Sequence, residues 1–215
     1  MAVLNPIKLV IDNYPIGKIE MLKAENSPEN ENYGDREIPF SRELYIERED
    51  FMETPPKNFF RLIVGKEVRL KHAYYVTCTD YKKDKKGNIL EVRCQYDPKT
   101  RGGWSDDGRK VKGTIHWVSI AESINSEVRL YNRLFNCENP MKTNDNSDFT
   151  SNINTASIKI IKQAKLEPSL KSLNFGKKYQ FLRKGYFVCD KTSSKNNLVF
   201  NQIVGLRDSW AKKNK

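Results

Sequence analysis

The sequence predicts an all-β protein with a barrel or sandwich architecture. Apolar residues recur at every second position in many short segments, which is the period of a half-buried strand. These segments follow one another at intervals of about 10–15 residues and are separated by polar turns. Helical patterns are few. A chain of 215 residues is long enough to bury the core of one large domain or two small ones.

The clearest pair of predicted strands flanks the polar stretch 82–88. Alternating positions before this stretch are occupied by Val68, Leu70, Tyr74, Val76 and Cys78. Alternating positions after it are occupied by Leu90, Val92, Cys94 and Tyr96. Two such segments around Gly87 and Asn88 predict a β-hairpin. The lysines at its tip fit a solvated loop, and they also fit a contact with phosphate groups.

The same alternation predicts further strands along the chain. They lie near Leu44 and Ile46 and at residues 110–118, 128–135, 157–161, 178–182 and 186–189. Residues 167–173 carry a proline at an early position and predict one or two helical turns. Residues 25–34 and 140–155 are polar and predict exposed loops.

The net charge of +11 is unevenly distributed. The first 52 residues carry a net charge of −5, residues 53–115 carry +7, and residues 116–215 carry +9. A basic surface of this kind favours an acidic partner, with nucleic acid ahead of an anionic membrane surface. A basic surface that is merely solvated remains the alternative.

Several classes of protein are excluded by missing patterns. No apolar run is long enough to span a membrane, and no secretion signal is present. The four cysteines form no Cys-x-x-Cys pair and neither histidine lies at zinc-ligand spacing, so we expect reduced thiols, no metal site and a cytoplasmic location. Phosphate-binding loops, dinucleotide fingerprints and nucleophile elbows are absent. His116 is predicted to be a core or edge residue, and residues 43–50 a surface ion-pair network.

Aromatic residues are interleaved with basic ones at residues 59–61, 129–133 and 179–184. Proteins hold unstacked RNA bases on aromatic and guanidinium planes and by hydrogen bonds to the base edges. A strand with one core face and one polar face has the same alternation. The pattern therefore permits RNA binding without requiring it.

Six sequence strings, in a fixed order, resemble one family along nearly the whole chain. They are NPIKLVIDNY (5–14), IPFSRE (38–43), GKEVRL (65–70), DGRKVKGTIHWVS (107–119), RLYNRLF (129–135) and VGLRDSWAK (204–212). They resemble the C-terminal anticodon-binding domain of bacterial glutaminyl-tRNA synthetase, a class I enzyme of the glutamate and glutamine subgroup. The resemblance implies two six-stranded β-barrels, the distal barrel being inserted in the chain of the proximal one. Residues 1–52 and 116–215 would form the proximal barrel, and residues 53–115 the distal barrel.

The resemblance also implies a function. In the family the barrels grip the anticodon loop of the tRNA, while a separate nucleotide-binding domain performs ATP-dependent aminoacylation. The His-Ile-Gly-His-like and Met-Ser-Lys-like signatures of that domain do not occur in this sequence. We therefore expect a non-catalytic fragment of a longer ligase that needs no cofactor itself. Its partners would be glutamine tRNA and the catalytic domain of the same parent chain.

Five residues match positions that contact the anticodon in the family. Arg61 falls at the position that contacts the third base, a guanine. Gln180 and Arg183 fall at positions that contact the central uridine. Arg69 and Lys71 fall where two arginines serve the first base, a cytosine or uridine.

Three positions depart from the family pattern. Lys71 stands where the family commonly has arginine, which implies a looser or water-mediated contact with the first base. Phe60 replaces a lysine beside Arg61 and could contribute stacking in place of charge. Glu29 stands near a family asparagine, and no contact is assigned to it.

Two other function classes remain open. An anticodon-binding domain of a glutamyl-tRNA synthetase of archaeal or eukaryotic type would use similar barrels and differ at the third anticodon base. A barrel that docks a protein partner would show no salt-dependent tRNA binding. Detectable glutaminylation by this chain alone would instead indicate an enzyme.

Overall fold

The computed structural model describes residues 1–142, 148–172 and 175–206. About 47% of the described residues are in strands or bridges and 9% are helical, and the two larger sheets are curled or nearly closed. The all-β prediction is confirmed, and the curled sheets are consistent with a pair of barrels. None of the helices in the described ranges is long and apolar enough to cross a membrane.

Fifteen strands are present among the described residues. They are β1 (Ala2–Val3), β2 (Pro6–Ile11), β3 (Ile19–Glu25), β4 (Asp35–Ser41), β5 (Glu43–Glu47), β6 (Glu67–Leu70), β7 (Tyr75–Lys83), β8 (Ile89–Asp97), β9 (Thr114–Ile115), β10 (Trp117–Ser119), β11 (Ile124–Tyr131), β12 (Ile158–Leu166), β13 (Lys178–Phe181), β14 (Gly185–Cys189) and β15 (Leu198–Val204). The helical residues form short 3-10 turns at Glu31–Tyr33, Arg48–Asp50, Pro98–Thr100, Phe149–Asn152 and Pro168–Lys171.

The chain divides into two compact units. Unit 1 comprises Met1–Asn125 and Ala164–Ser172, and unit 2 comprises Ser126–Gln163 and Leu173–Lys215. These bounds differ from the predicted barrel segments, because β2 pairs with both β5 and β8 and so joins strands from residues 1–52 and 53–115 in one sheet. The assignment of particular segments to a proximal and a distal barrel stays a prediction.

Unit 1 is built on a seven-stranded sheet with the order β10-β5-β2-β8-β7-β6-β9, together with the hairpin of β3 and β4. This sheet has one strand more than each barrel was predicted to have. Strand β2 lies inside it, antiparallel to β5 and parallel to β8. Ile7, Leu9, Val10 and Ile11 are all buried. Burial of three consecutive residues, 9–11, breaks the period of two, which explains why alternation did not reveal this strand.

An aromatic cluster forms part of the core of unit 1. Its members are Tyr14, Phe40, Tyr74, Tyr96 and Trp117, whose ring centroids lie 5.0–5.2 Å apart in mostly edge-to-face pairs. The hydroxyls of Tyr14 and Tyr74 donate to the Glu20 carboxylate. Burial and this carboxylate raise the pKa of Tyr74 to about 12. The polar ends of these buried rings are therefore satisfied.

Unit 2 takes its strands from the six-stranded sheet β1-β12-β11-β15-β14-β13. Strand β11 runs parallel to β15, and β14 is antiparallel to both β13 and β15. Phe181 stacks on Phe187 with a centroid separation of 4.3 Å, and Phe200 packs against Phe181 edge-on at 5.3 Å. These three buried rings anchor the β13–β14 hairpin.

Most predicted strands are present, with shifted ends. The predicted hairpin is β7 and β8, with Cys78 opposite Cys94. The prediction of one strand at 110–118 is wrong, because only Thr114–Ile115 and Trp117–Ser119 are strands. The backbone before them packs closely against the backbone of Phe60 at Gly113. The predicted strands 128–135 and 157–161 correspond to β11 and β12. Alternation did not predict five of the strands, which are β1, β2, β3, β4 and β15.

The predicted turns and loops are largely found. The predicted helical segment 167–173 contains the 3-10 turn Pro168–Lys171, while Leu173 lies outside the described residues. The predicted loop 25–34 is exposed around its short 3-10 turn. Of the predicted loop 140–155, residues 143–147 lie outside the description, as do residues 207–212 of the VGLRDSWAK string.

The thiols and the buried polar groups give a mixed outcome. All four cysteines are free thiols, of which Cys78, Cys94 and Cys189 are buried and Cys137 is exposed. His116 is a fully buried core residue, and its Nε2 lies 3.6 Å from the Glu47 carboxylate. The prediction of a surface ion-pair network at residues 43–50 is wrong for Glu47 and Asp50, since both are buried.

Gly113 gives a test of close backbone packing in unit 1. A Cβ at this position would lie 2.1 Å from the backbone carbonyl oxygen of Phe60. We expect Gly113→Ala to lower the free energy of unfolding by about 1–3 kcal/mol, because backbone atoms must move to relieve the clash. Chemical denaturation would measure the change. The exposed neighbour Thr114→Ala is the control and should change stability by less than about 0.5 kcal/mol. Equal stability of the two variants would contradict this account.

Candidate nucleic-acid interface

Arg61 is held in unit 1 by the segment that follows β5. The backbone N–H of Leu62 donates to the carbonyl of Asp50 at 2.9 Å, which fixes Arg61 beside the 3-10 turn Arg48–Asp50. The Arg61 Nε lies 3.2 Å from the buried Asp50 carboxylate, and its Nη1 donates to the carbonyl of Glu49 at 3.2 Å. The side chain is still 38% exposed. Asp50 and Glu49 thus orient Arg61 by binding the Nε and Nη1 edge of its guanidinium. No hydrogen bond from its third nitrogen, Nη2, is found among the described residues.

An open groove of about 440 Å³ lies beside Arg61. Its lining includes Phe59, Phe60, Arg61, Lys66, Glu67, Lys110, Lys112 and Gly113. The single carboxylate among them, Glu67, is neutralised by Arg109 at 2.9 and 3.0 Å. Lys112 lies over the exposed ring of Phe60, with Nζ 5.3 Å from the centroid. The groove combines basic groups with aromatic faces, which suits a nucleotide.

Arg69 lies on β6, and its guanidinium is enclosed by aromatic rings. Its Cζ is 4.9 Å from the Trp104 ring centroid and 5.6 Å from that of Tyr75. Nη2 donates to the Tyr75 hydroxyl at 3.4 Å. Nε is buried and has no hydrogen-bond partner among the described residues. The guanidinium is therefore oriented by rings rather than by carboxylates.

Lys71 follows β6 directly. Its Nζ lies 3.4 Å from the carboxylate of Glu25, at the end of β3, and its backbone carbonyl accepts a hydrogen bond from Trp117 Nε1 at 3.0 Å. The core tryptophan thus fixes the backbone of Lys71, while its ammonium group is weakly paired at the surface. Glu29 is exposed on the loop after β3.

Gln180 and Arg183 lie on the β13–β14 hairpin of unit 2. Gln180 is exposed opposite Tyr186, also exposed, so an amide and a phenol share the solvent face of the hairpin. Arg183 lies in the connection between the strands, where Phe181 pairs with Gly185. Its φ is +67°, a left-handed conformation that favours glycine. A side chain kept at this backbone position is typical of a functional turn.

The five predicted residues are divided between the units. Arg61, Arg69 and Lys71 belong to unit 1, while Gln180 and Arg183 belong to unit 2. In the structure, Arg61 lines the same groove as Lys110 and Lys112. The Arg69 guanidinium lies over the ring of Trp104. The two lysines stand in the DGRKVKGTIHWVS string, whereas Trp104 was missed because its glycine-rich and aspartate-rich loop shows no periodicity.

The lysines of the β7–β8 hairpin are partly paired. Lys82 lies 3.1 Å from Glu91, and Lys83 contacts Glu53. Lys85 and Lys86 at the tip are exposed, which fits both a solvated loop and a phosphate contact. Within the described residues, no group of three or more His, Cys, Asp or Glu side chains is arranged to hold a metal ion.

Comparison with known proteins gives a consistent result over the chain. A family model described as tRNA synthetases class I (E and Q), anti-codon binding domain, matches residues 1–97, and a second model of the same description matches residues 114–190. The chain is similar to three proteins named glutamine–tRNA ligase. They come from Nitrobacter winogradskyi (52% identity, 99% of this chain), Clostridium kluyveri (51%, 98%) and Vibrio parahaemolyticus (50%, 99%).

The matched region covers 37%, 38% and 38% of those three relatives, so the chain spans less than half of their length. The resemblance to the C-terminal anticodon-binding domain of bacterial glutaminyl-tRNA synthetase is confirmed. The two family matches together span most of both units. The chain therefore belongs to the family of anticodon-binding domains of class I tRNA synthetases (E and Q).

Proposed function

We propose that this chain binds the anticodon loop of glutamine tRNA and distinguishes its bases, which are cytosine or uridine, then uridine, then guanine. The observation that carries the proposal is the geometry of Arg61. One edge of its guanidinium is held by the buried Asp50 and the carbonyl of Glu49, and the partly exposed side chain lines the open groove. An arginine fork with two parallel donors matches the O6 and N7 acceptors of guanine.

Gln180 and Arg183 suit the central uridine. An exposed amide offers both a donor and an acceptor to the edge of uracil, and a guanidinium satisfies carbonyl or phosphate oxygens. Both groups stand on one hairpin whose core is locked by stacked phenylalanines. Arg69 and Lys71, at the end of β6, would serve the first base. Lys71 carries a point charge rather than a fork, so its contact would discriminate less sharply.

The parent protein would be an ATP-dependent glutamine–tRNA ligase that acts in the cytoplasm. In such an enzyme, the catalytic domain of the same chain binds ATP and glutamine, and this region contributes tRNA binding. Anticodon binding would then position the acceptor end of the tRNA for catalysis. The names of the three relatives support this assignment over a glutamate-specific enzyme. The family description covers both, and the third anticodon base discriminates between them.

The first test is binding of an anticodon stem-loop. We expect this chain to bind a glutamine-tRNA stem-loop with an affinity that falls as salt rises, because basic side chains displace counterions from phosphates. Changing the third anticodon base from guanine to cytosine should cost ~1–3 kcal/mol. Fluorescence anisotropy at several salt concentrations would measure both effects. Equal or salt-insensitive binding of the two stem-loops would contradict the proposal.

Arg61 should account for the third-base preference. Arg61→Lys keeps a cation beside the buried Asp50 but removes the fork, so we expect it to fold while losing most of the preference for guanine. Arg61→Ala should also lower stability, since it removes the cation beside a buried carboxylate. Lys57→Ala, a nearby exposed cation, is the control and should keep the preference. A full preference in Arg61→Lys would exclude Arg61 as the guanine contact.

Arg183 allows stability and binding to be separated. Arg183→Gly relieves the left-handed backbone and should raise the free energy of unfolding by about 1 kcal/mol. Arg183→Ala removes the same side-chain contacts but retains the backbone cost. Both variants should weaken binding of the stem-loop, and only the glycine variant should unfold at a higher temperature. Thermal unfolding and anisotropy would measure the two properties. Unchanged binding in both variants would exclude Arg183 from the interface.

A further inference from the structure

Trp104 is an exposed aromatic side chain beside a candidate nucleotide contact. The residue is 73% exposed, whereas Trp117 is buried in the core of unit 1. The Arg69 guanidinium lies over the Trp104 ring at 4.9 Å, so one face of the indole is covered by a cation. With that much of the residue accessible, the opposite face is open to solvent. A large apolar face held open beside a basic group is the arrangement that stacks nucleobases.

Arg69 lacks the partners that a structural arginine normally has. Within the described ranges no carboxylate lies within ion-pair distance of its guanidinium, and the buried Nε has no hydrogen-bond acceptor. A partly buried cation without an anion is costly, so a structure that keeps one favours a ligand that supplies oxygen atoms. Phosphate and base carbonyl groups are suitable acceptors.

The loop that carries Trp104 is fixed in place. Arg109, at its end, bonds to Glu67 on β6 at 2.9 and 3.0 Å, to Asp97 at 2.6 Å and to Asp107 at 2.5 Å. These carboxylates hold the pKa of Arg109 above its ordinary value. The loop is thus tied to two strands of the sheet, and the indole is presented from a rigid support.

Gly103 permits the contact between the loop and Arg69. Its φ is +85°, and a Cβ there would lie 3.0 Å from Cδ of Arg69. A larger residue would therefore be strained and would crowd the arginine stem. The loop conformation and the arginine rotamer are matched to each other, and together they set the position of the indole.

We infer that the open face of Trp104 stacks an unpaired nucleobase of single-stranded RNA whose polar edge or phosphate is bound by Arg69. This inference rests on the proposed function and deepens it, since it adds a stacking residue to the anticodon contacts. By the placement of Arg69, the stacked base is the first base of the anticodon. Indole stacking is tolerant of base identity. It would add affinity at this position without adding discrimination between cytosine and uridine.

The test uses the 215-residue chain, the glutamine-tRNA stem-loop and three variants at one position. We expect Trp104→Ala and Trp104→Leu to weaken binding by about 5- to 100-fold, because neither side chain offers a π face. Trp104→Phe retains a smaller ring and should lose about 3-fold or less. The leucine variant separates stacking from simple apolar contact. Circular dichroism would verify that each variant folds, as the exposure of Trp104 predicts.

Stem-loops with an abasic site at each anticodon position identify the base that is stacked. The penalty of Trp104→Ala should disappear only with the abasic site at the first position. Binding should also quench tryptophan fluorescence in the wild-type chain by more than in Trp104→Phe. If the wild-type chain binds and Trp104→Ala binds equally well, the inference is overturned while the proposed function stands. If the wild-type chain does not bind at all, both fail.

Discussion

The double pairing of β2 is the constraint on which unit 1 depends. This strand pairs with β5 along one edge and with β8 along the other, and four of its six residues are buried. The strands that carry or precede the candidate contact residues of unit 1 are connected to β2 by pairing within this sheet. Strand β5 leads to the turn that holds Arg61, and β8 pairs with β7, which pairs with β6 and its Arg69. The interior strand therefore sets the spacing of side chains that themselves lie at the surface.

The candidate interface uses the same groups for folding and for binding. Arg61 pairs with a buried carboxylate through one edge of its guanidinium and also lines the groove. Arg69 is held by two aromatic rings, one of them exposed, and Arg183 occupies a backbone conformation that glycine would adopt at lower cost. The side chains of Arg61 and Arg69 are thus oriented before a ligand arrives. Pre-orientation reduces the entropy lost on binding and favours discrimination between bases.

The sequence alone predicted the parts of the fold that have one buried face. The hairpin of β7 and β8 and the strands β5, β13 and β14 all show alternation, because one side of each faces the core and the other faces solvent. Strand β2 was missed because residues 9–11 are buried on both of its faces. Residues 110–113 were wrongly assigned to a strand because close backbone packing against Phe60 overrides their alternating pattern. Arg61 and Arg183 were predicted as anticodon contacts through the family resemblance, and that assignment stays a prediction. The buried Asp50 beside Arg61, the left-handed backbone of Arg183 and the rings around Arg69 depend on tertiary contacts that no local pattern encodes.

The two units alternate along the sequence, and this order has a consequence for folding during synthesis. Unit 1 is complete only with residues 164–172, where Glu167 forms an ion pair at 2.6 Å with Arg36, 131 residues earlier in the chain. A ribosome that has just finished residue 125 has therefore not yet supplied the last segment of that unit. Contacts of such long sequence separation form late, because the intervening chain must be ordered first. During synthesis, unit 1 must wait for a segment that follows residues 126–163 of unit 2, so the first part of unit 2 is made before unit 1 can close.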